Sequence, residues 1–142
     1  MTDKWGRRLF ISGALALLIV GLVHSLSLFA KQVPANDTER QLLTLMANYQ
    51  FNVMGTMRSM GNFLRGFSIS FMLAAFAMAA VDLVVCRERT SLLKRVALVN
   101  TIWLAAMTAV SLRYFFVVPT SFLAVTLILF ALAWLKLPAE KN

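Results

Sequence analysis

The residues that could do chemistry are few and well separated. The chain has a single histidine, His24, which lies late in an apolar run and seven residues before Lys31. At ~1.5 Å of rise per residue, it sits about 10 Å inside the end of a helix. Gly6, Gly13, Leu17 and His24 fall on one side of that helix, and small residues mark helix contacts in lipid. His24 is therefore either a ligand or proton-relay group within the membrane, or a buried hydrogen bond that fixes packing. Asp82 lies near the end of a second apolar run, five residues before Arg87. It could hold a cation or proton. The structural alternative is packing through an ion pair with Arg87, Arg89 or a basic residue near the N-terminus. Arg113 lies near the end of a third run and could snorkel to the headgroups. With Arg58 and Arg65 above His24, it could instead bind an amphiphilic anion such as a lipid, a fatty acid or the polar head of a quinone. Met54, Met57 and Met60 recur every third residue after Met46. Thioethers can hold Cu(I), and they equally make a flexible apolar face.

Several chemistries are missing from the sequence. One cysteine, Cys86, and one histidine exclude an internal disulfide, a CxxC redox pair and a zinc site built of Cys and His alone. There is no P-loop, GxSxG or HExxH. His24 and Asp82 belong near opposite membrane faces, so they cannot act as an acid–base pair. The first run carries no acidic residue of the kind that couples protons to drug export in small four-helix multidrug transporters. No catalytic residue and no cofactor are expected.

The elements that position these groups follow from hydropathy. Of 142 residues, 60% are hydrophobic, and the mean hydropathy is +0.76. A soluble domain of this size cannot bury so much apolar surface. A crossing needs about 20 apolar residues. Four runs qualify, at about 9–30, 66–85, 96–117 and 119–135. The first is longer than the apolar core of a cleavable leader, so it is read as a retained helix despite the small-x-small stretch Ser25-Leu26-Ser27. Pro119 starts the last helix and makes a tight hairpin with the third. Thr101, Ala105 and Thr108 give the third helix a small, hydroxylated packing face.

The net charge of +8 sits at the ends of these runs, which argues against nucleic acid. Lys4, Arg7 and Arg8, then Arg87, Arg89, Lys94 and Arg95, then Lys136 and Lys141 fall on one side. Lys31, Arg40, Arg58, Arg65 and Arg113 fall on the other. The positive-inside rule puts the first group, and with it both termini, in the cytoplasm. Trp5, Tyr114 and Trp134 lie near the interfaces. Between the first two crossings, Pro34 and Asn36-Asp37 read as a turn. Thr38 and Gln41 have capping-box spacing. Leu42, Leu45, Met46, Tyr49 and Val53 follow at helical spacing, giving an extracytoplasmic amphipathic helix over about 39–53, ended by Gly55. The second crossing helix could begin early, near Met57.

Gly21-Leu22-Val23-His24, a polar loop with Pro34, and Gly66-Phe67-Ser68 opening an Ala-rich helix resemble a group of short bacterial four-helix inner-membrane proteins with a histidine late in helix one. The resemblance implies the topology and an inner-membrane location, and it carries no reaction. The expected fold is a single all-α domain, an integral membrane bundle of four transmembrane helices plus the short outer helix. The leading functional expectation is a non-enzymatic accessory or self-associating subunit. Its partners would be membrane lipid and a larger membrane complex or a homo-oligomer. The alternatives are binding or transport of an amphiphilic anion and Cu(I) handling.

Overall fold

The computed structural model describes residues 2–138, so Lys141 lies outside the described residues. The elements run α1 (Thr2–Ser27), α2 (Asp37–Asn48), β1 (Gln50–Val53), β2 (Thr56–Ser59), α3 (Met60–Val85), α4 (Thr90–Tyr114) and α5 (Val117–Lys136). α1, α3, α4 and α5 are long and apolar enough to cross a membrane. The shortest, α5, has 20 residues, which at ~1.5 Å each matches a hydrocarbon core of about 30 Å. α3 and α4 begin six residues before the apolar runs do, because polar flanks continue the backbone ladder. α1 stops at Ser27 rather than Ala30. There the amides of Leu28, Phe29 and Ala30 bond carbonyls three residues back, tightening the final turn.

The chain forms two compact units, one from Met1–Gly21 with Ala74–Asn142, the other from Leu22–Leu73. In the first unit, glycines allow α1 to approach α5. A Cβ on Gly13 would stand 3.0 Å from the Phe130 ring, and one on Gly6 2.8 Å from the Leu137 side chain. Phe10 meets Phe130 edge to face, with centroids 5.5 Å apart. α3 buries Ala75, Ala79 and Asp82. α4 buries Leu93, Ala97, Asn100, Leu104, Thr108 and Ser111. That stripe replaces the expected Thr101–Ala105–Thr108 face: Thr108 is on it, Thr101 is half-buried and Ala105 is exposed. α4 and α5 make the tight hairpin, joined by Phe115-Phe116 and tied by Ser111 Oγ and Thr120 Oγ1 at 2.7 Å. Pro119 falls in the first turn of α5, where its missing N–H leaves no helical bond unmade.

At one end of this unit α1 and α4 begin while α3 and α5 finish. Arg7 of α1 donates through Nη1 to the Cys86 carbonyl and through Nη2 to that of Glu88 at 2.9 Å. Lys94 Nζ of α4 donates to the Leu137 carbonyl at 2.7 Å. Cations on the opening turns of two helices thus satisfy the carbonyls that follow their antiparallel neighbours, where the negative end of the helix dipole also favours them.

The second unit departs most from expectation. The capping box lies two residues earlier than Thr38 and Gln41. Asn36 Oδ1 accepts from the Glu39 amide at 2.9 Å, and Glu39 Oε2 accepts from the Ala35 amide at 2.6 Å. The helix expected over 39–53 ends at Asn48, and Gln50–Val53 is instead a strand, so the fold is not wholly α. β1 pairs antiparallel with β2, Gln50 opposite Ser59 and Val53 opposite Thr56. Met54 and Gly55 form the turn, both with positive φ, 49° and 86°. Two such residues match the twist of a tight hairpin. Asn52 Oδ1 accepts the Gly55 amide at 2.8 Å. Ser59 Oγ then caps α3 through the Asn62 amide at 3.3 Å. Phe51 stacks on Phe63 with centroids 5.9 Å apart. On α2, Leu43 and Met46 are half-buried, while Leu42, Leu45 and Tyr49 are exposed.

Candidate functional site

The sequence marked Asp82 for an ion pair, and the structure gives it an amide. Asp82 is 2% exposed and Asn100 3%. Asn100 Nδ2 donates to both carboxyl oxygens at 2.9 Å. Of the basic residues near the N-terminus, Arg7 is directed at backbone carbonyls instead. Arg87 and Arg89 are exposed. The physical reason is register: Asp82 lies on the inward stripe of α3, and a guanidinium beyond the helix end would have to leave water to reach it. Asn100 was missed by sequence reasoning. The available signal was its place on the stripe Leu93–Ala97–Asn100–Leu104, a lone amide among apolar neighbours. The pair joins α3 to α4, and each polar group removes the desolvation cost of the other.

His24 lies half-buried in the second unit, edge-on to Phe71 with centroids 4.9 Å apart. Its Nε2 is enclosed without a hydrogen-bond partner. The ring contact ties the end of α1 to α3.

The three arginines expected beside His24 have local or exposed settings. Arg58 Nη1 donates to the carbonyl of Met57 at 2.8 Å. Arg113 lies over the ring of its neighbour Tyr114 at 6.0 Å. Arg65 is exposed on α3, one turn before Ser68. The methionines occupy three different elements. Met54 is at the hairpin tip, 100% exposed, Met57 is on β2 and Met60 opens α3. Their threefold spacing therefore makes no helical face. Among the described residues no cluster of three or more His, Cys, Asp or Glu side chains could hold a metal.

Two features to which sequence reasoning gave no binding role lie elsewhere. One is the basic end of the first unit. The other is a side of α3 carrying Gly66, Ser70, Ala74 and Ala77, all exposed. A Cβ added to Gly66 would meet nothing within 4 Å.

Set against protein-family models, curated proteins and solved structures, the chain matches none. The fold and site define a small protein with four helices able to cross a membrane, and its functional reading rests on its own residues.

Proposed function

We propose that the chain is a non-enzymatic subunit of the bacterial inner membrane that associates through α3, with a second copy as the occupant of that face. In this reading the four long helices span the membrane and both termini are cytoplasmic. α2 lies outside, with Leu42, Leu45 and Tyr49 toward the lipid headgroups. The orientation follows the basic residues near the start of α1, in the α3–α4 connection and in the opening turns of α4.

The observation that carries the reading is the free small-residue side of α3. Gly66, Ser70, Ala74 and Ala77 recur at spacings of four, four and three, which keeps them on one helix face. The opposite, inward stripe already uses Ala75, Ala79 and Asp82. Glycine inside a helix costs ~1 kcal/mol relative to alanine, and among the described residues no neighbour requires it at position 66. In lipid, small residues let two backbones come close, and the gain is van der Waals contact. Small residues of one patch can meet the same residues of a second copy around the exposed Leu73 between them, as a twofold contact between copies demands.

The test is the mass of the protein purified in a mild detergent, read by native mass spectrometry. The wild type is expected as a defined oligomer and the double variant G66I/A74I as a monomer, with helicity by circular dichroism unchanged. A monomeric wild type contradicts the proposal.

A further inference from the structure

The cations that the structure brings together lie at the end where α1 begins. Arg7 reaches from α1 to the carbonyls of Cys86 and Glu88, so the opening turns of α1 stand directly against the connection between α3 and α4. Lys4 precedes Arg7 by three residues and Arg8 by four, which makes it a surface neighbour of both. Arg87 and Arg89 flank Glu88 on the connection itself. Lys4, Arg8, Arg87 and Arg89 are all exposed. Arg7 is committed to its two carbonyls, and Arg8 lies over the Trp5 ring at 6.0 Å. Among the side chains described, residues 4–138, no carboxylate pairs with Lys4, Arg8, Arg87 or Arg89.

Like charges within a Debye length of ~10 Å repel, and an anion between them relieves the repulsion. Glu88 is the connection's single acidic residue. Phosphate oxygens suit the site: guanidinium forks grip them in pairs of hydrogen bonds, and a lysine adds a point charge. Trp5, 60% exposed beside Arg8, is the amphipathic aromatic that favours headgroup depth. Where a membrane-spanning helix begins, the phosphate at hand belongs to lipid. We propose that Lys4, Arg8, Arg87 and Arg89 form a binding site for the phosphate headgroup of an anionic phospholipid. The site shares no residue with the free face of α3 and stands or falls separately from it.

The experiment is a native mass spectrometry titration of the full chain with phosphatidylglycerol and with phosphatidylcholine of the same acyl chains. Each cation near an anionic headgroup is worth roughly fivefold in affinity. The expected result is a preference for phosphatidylglycerol of about tenfold or more, lowered at least severalfold by R87Q/R89Q and by K4Q/R8Q. The variant R58Q/R65Q loses the same charge elsewhere and is expected to keep the preference. The two variant pairs lie on different elements and leave the bonds of Arg7 in place, so a folding failure in one leaves the other informative. Equal binding of the two lipids overturns the proposal, as does an equal fall in all three variants. Displacement by millimolar inorganic phosphate also overturns it, because the site would then serve a free anion.

Discussion

Replacing Asn100 with leucine leaves the carboxyl of Asp82 without its donor in a part of the core that water does not reach. Hydrogen bonds to charged groups contribute ~1.5–3 kcal/mol. Interhelical hydrogen bonds in lipid average ~0.6 kcal/mol and reach ~1.7, because the unfolded reference also finds partners. Asp82 is 2% exposed and both its oxygens meet the same amide, which places the loss toward the upper end, at about 2 kcal/mol. Two further variants separate the bond from mere packing. Asp82→Asn keeps an acceptor for the Asn100 amide and is expected to lose less than ~1 kcal/mol. The double variant Asp82→Leu with Asn100→Leu removes both polar groups and is expected to recover at least ~1 kcal/mol relative to Asn100→Leu alone. The assay is reversible unfolding in mixed detergent micelles, followed by circular dichroism. An Asn100→Leu protein within ~0.5 kcal/mol of the wild type would refute the reasoning, as would a double variant no more stable than that single one.

Two more perturbations probe the rest of the fold. Arg7→Gln removes a donor from the Cys86 and Glu88 carbonyls and is expected to cost ~1–2 kcal/mol in the same assay; an unchanged midpoint would mean that the α3 end is satisfied without it. Gly55→Val puts a β-branched side chain at a φ of 86°, a strain of ~1–3 kcal/mol. Hydrogen exchange of the β1 and β2 amides is expected to accelerate while that of α3 does not, and unchanged exchange at the strands would contradict the hairpin geometry.

The four long helices were legible in the sequence because each is a continuous apolar run of membrane length. The helix ends were less legible, since nothing in hydropathy says how far a ladder continues into polar flanks such as 60–65 or 90–95. The hairpin was invisible for a local reason. Its turn is Met54-Gly55, without the Asn-Gly or Asp-Gly pair that announces such turns. Tyr49 and Val53 also sit at a spacing that continues the α2 pattern. Asp82 was recognised as a group needing a partner, but which residue of α4 stands opposite depends on the relative rotation of two helices. His24 stands edge-on to Phe71 of α3, and no basic cluster forms beside it. The arginines expected around it are bonded to their own neighbours or exposed. The clustered cations lie where α1 meets the α3–α4 connection.

The central claim is that α3 presents Gly66, Ser70, Ala74 and Ala77 to a second copy. Its most direct measurement is disulfide cross-linking of single-cysteine variants along α3 in native membranes, in a Cys86→Ser background. The account expects dimers from cysteines at positions 66, 70, 74 and 77 and none from 68, 72, 75 or 79, a pattern with the period of one helix face. Uniform cross-linking along α3, or none at the four small positions, would contradict it.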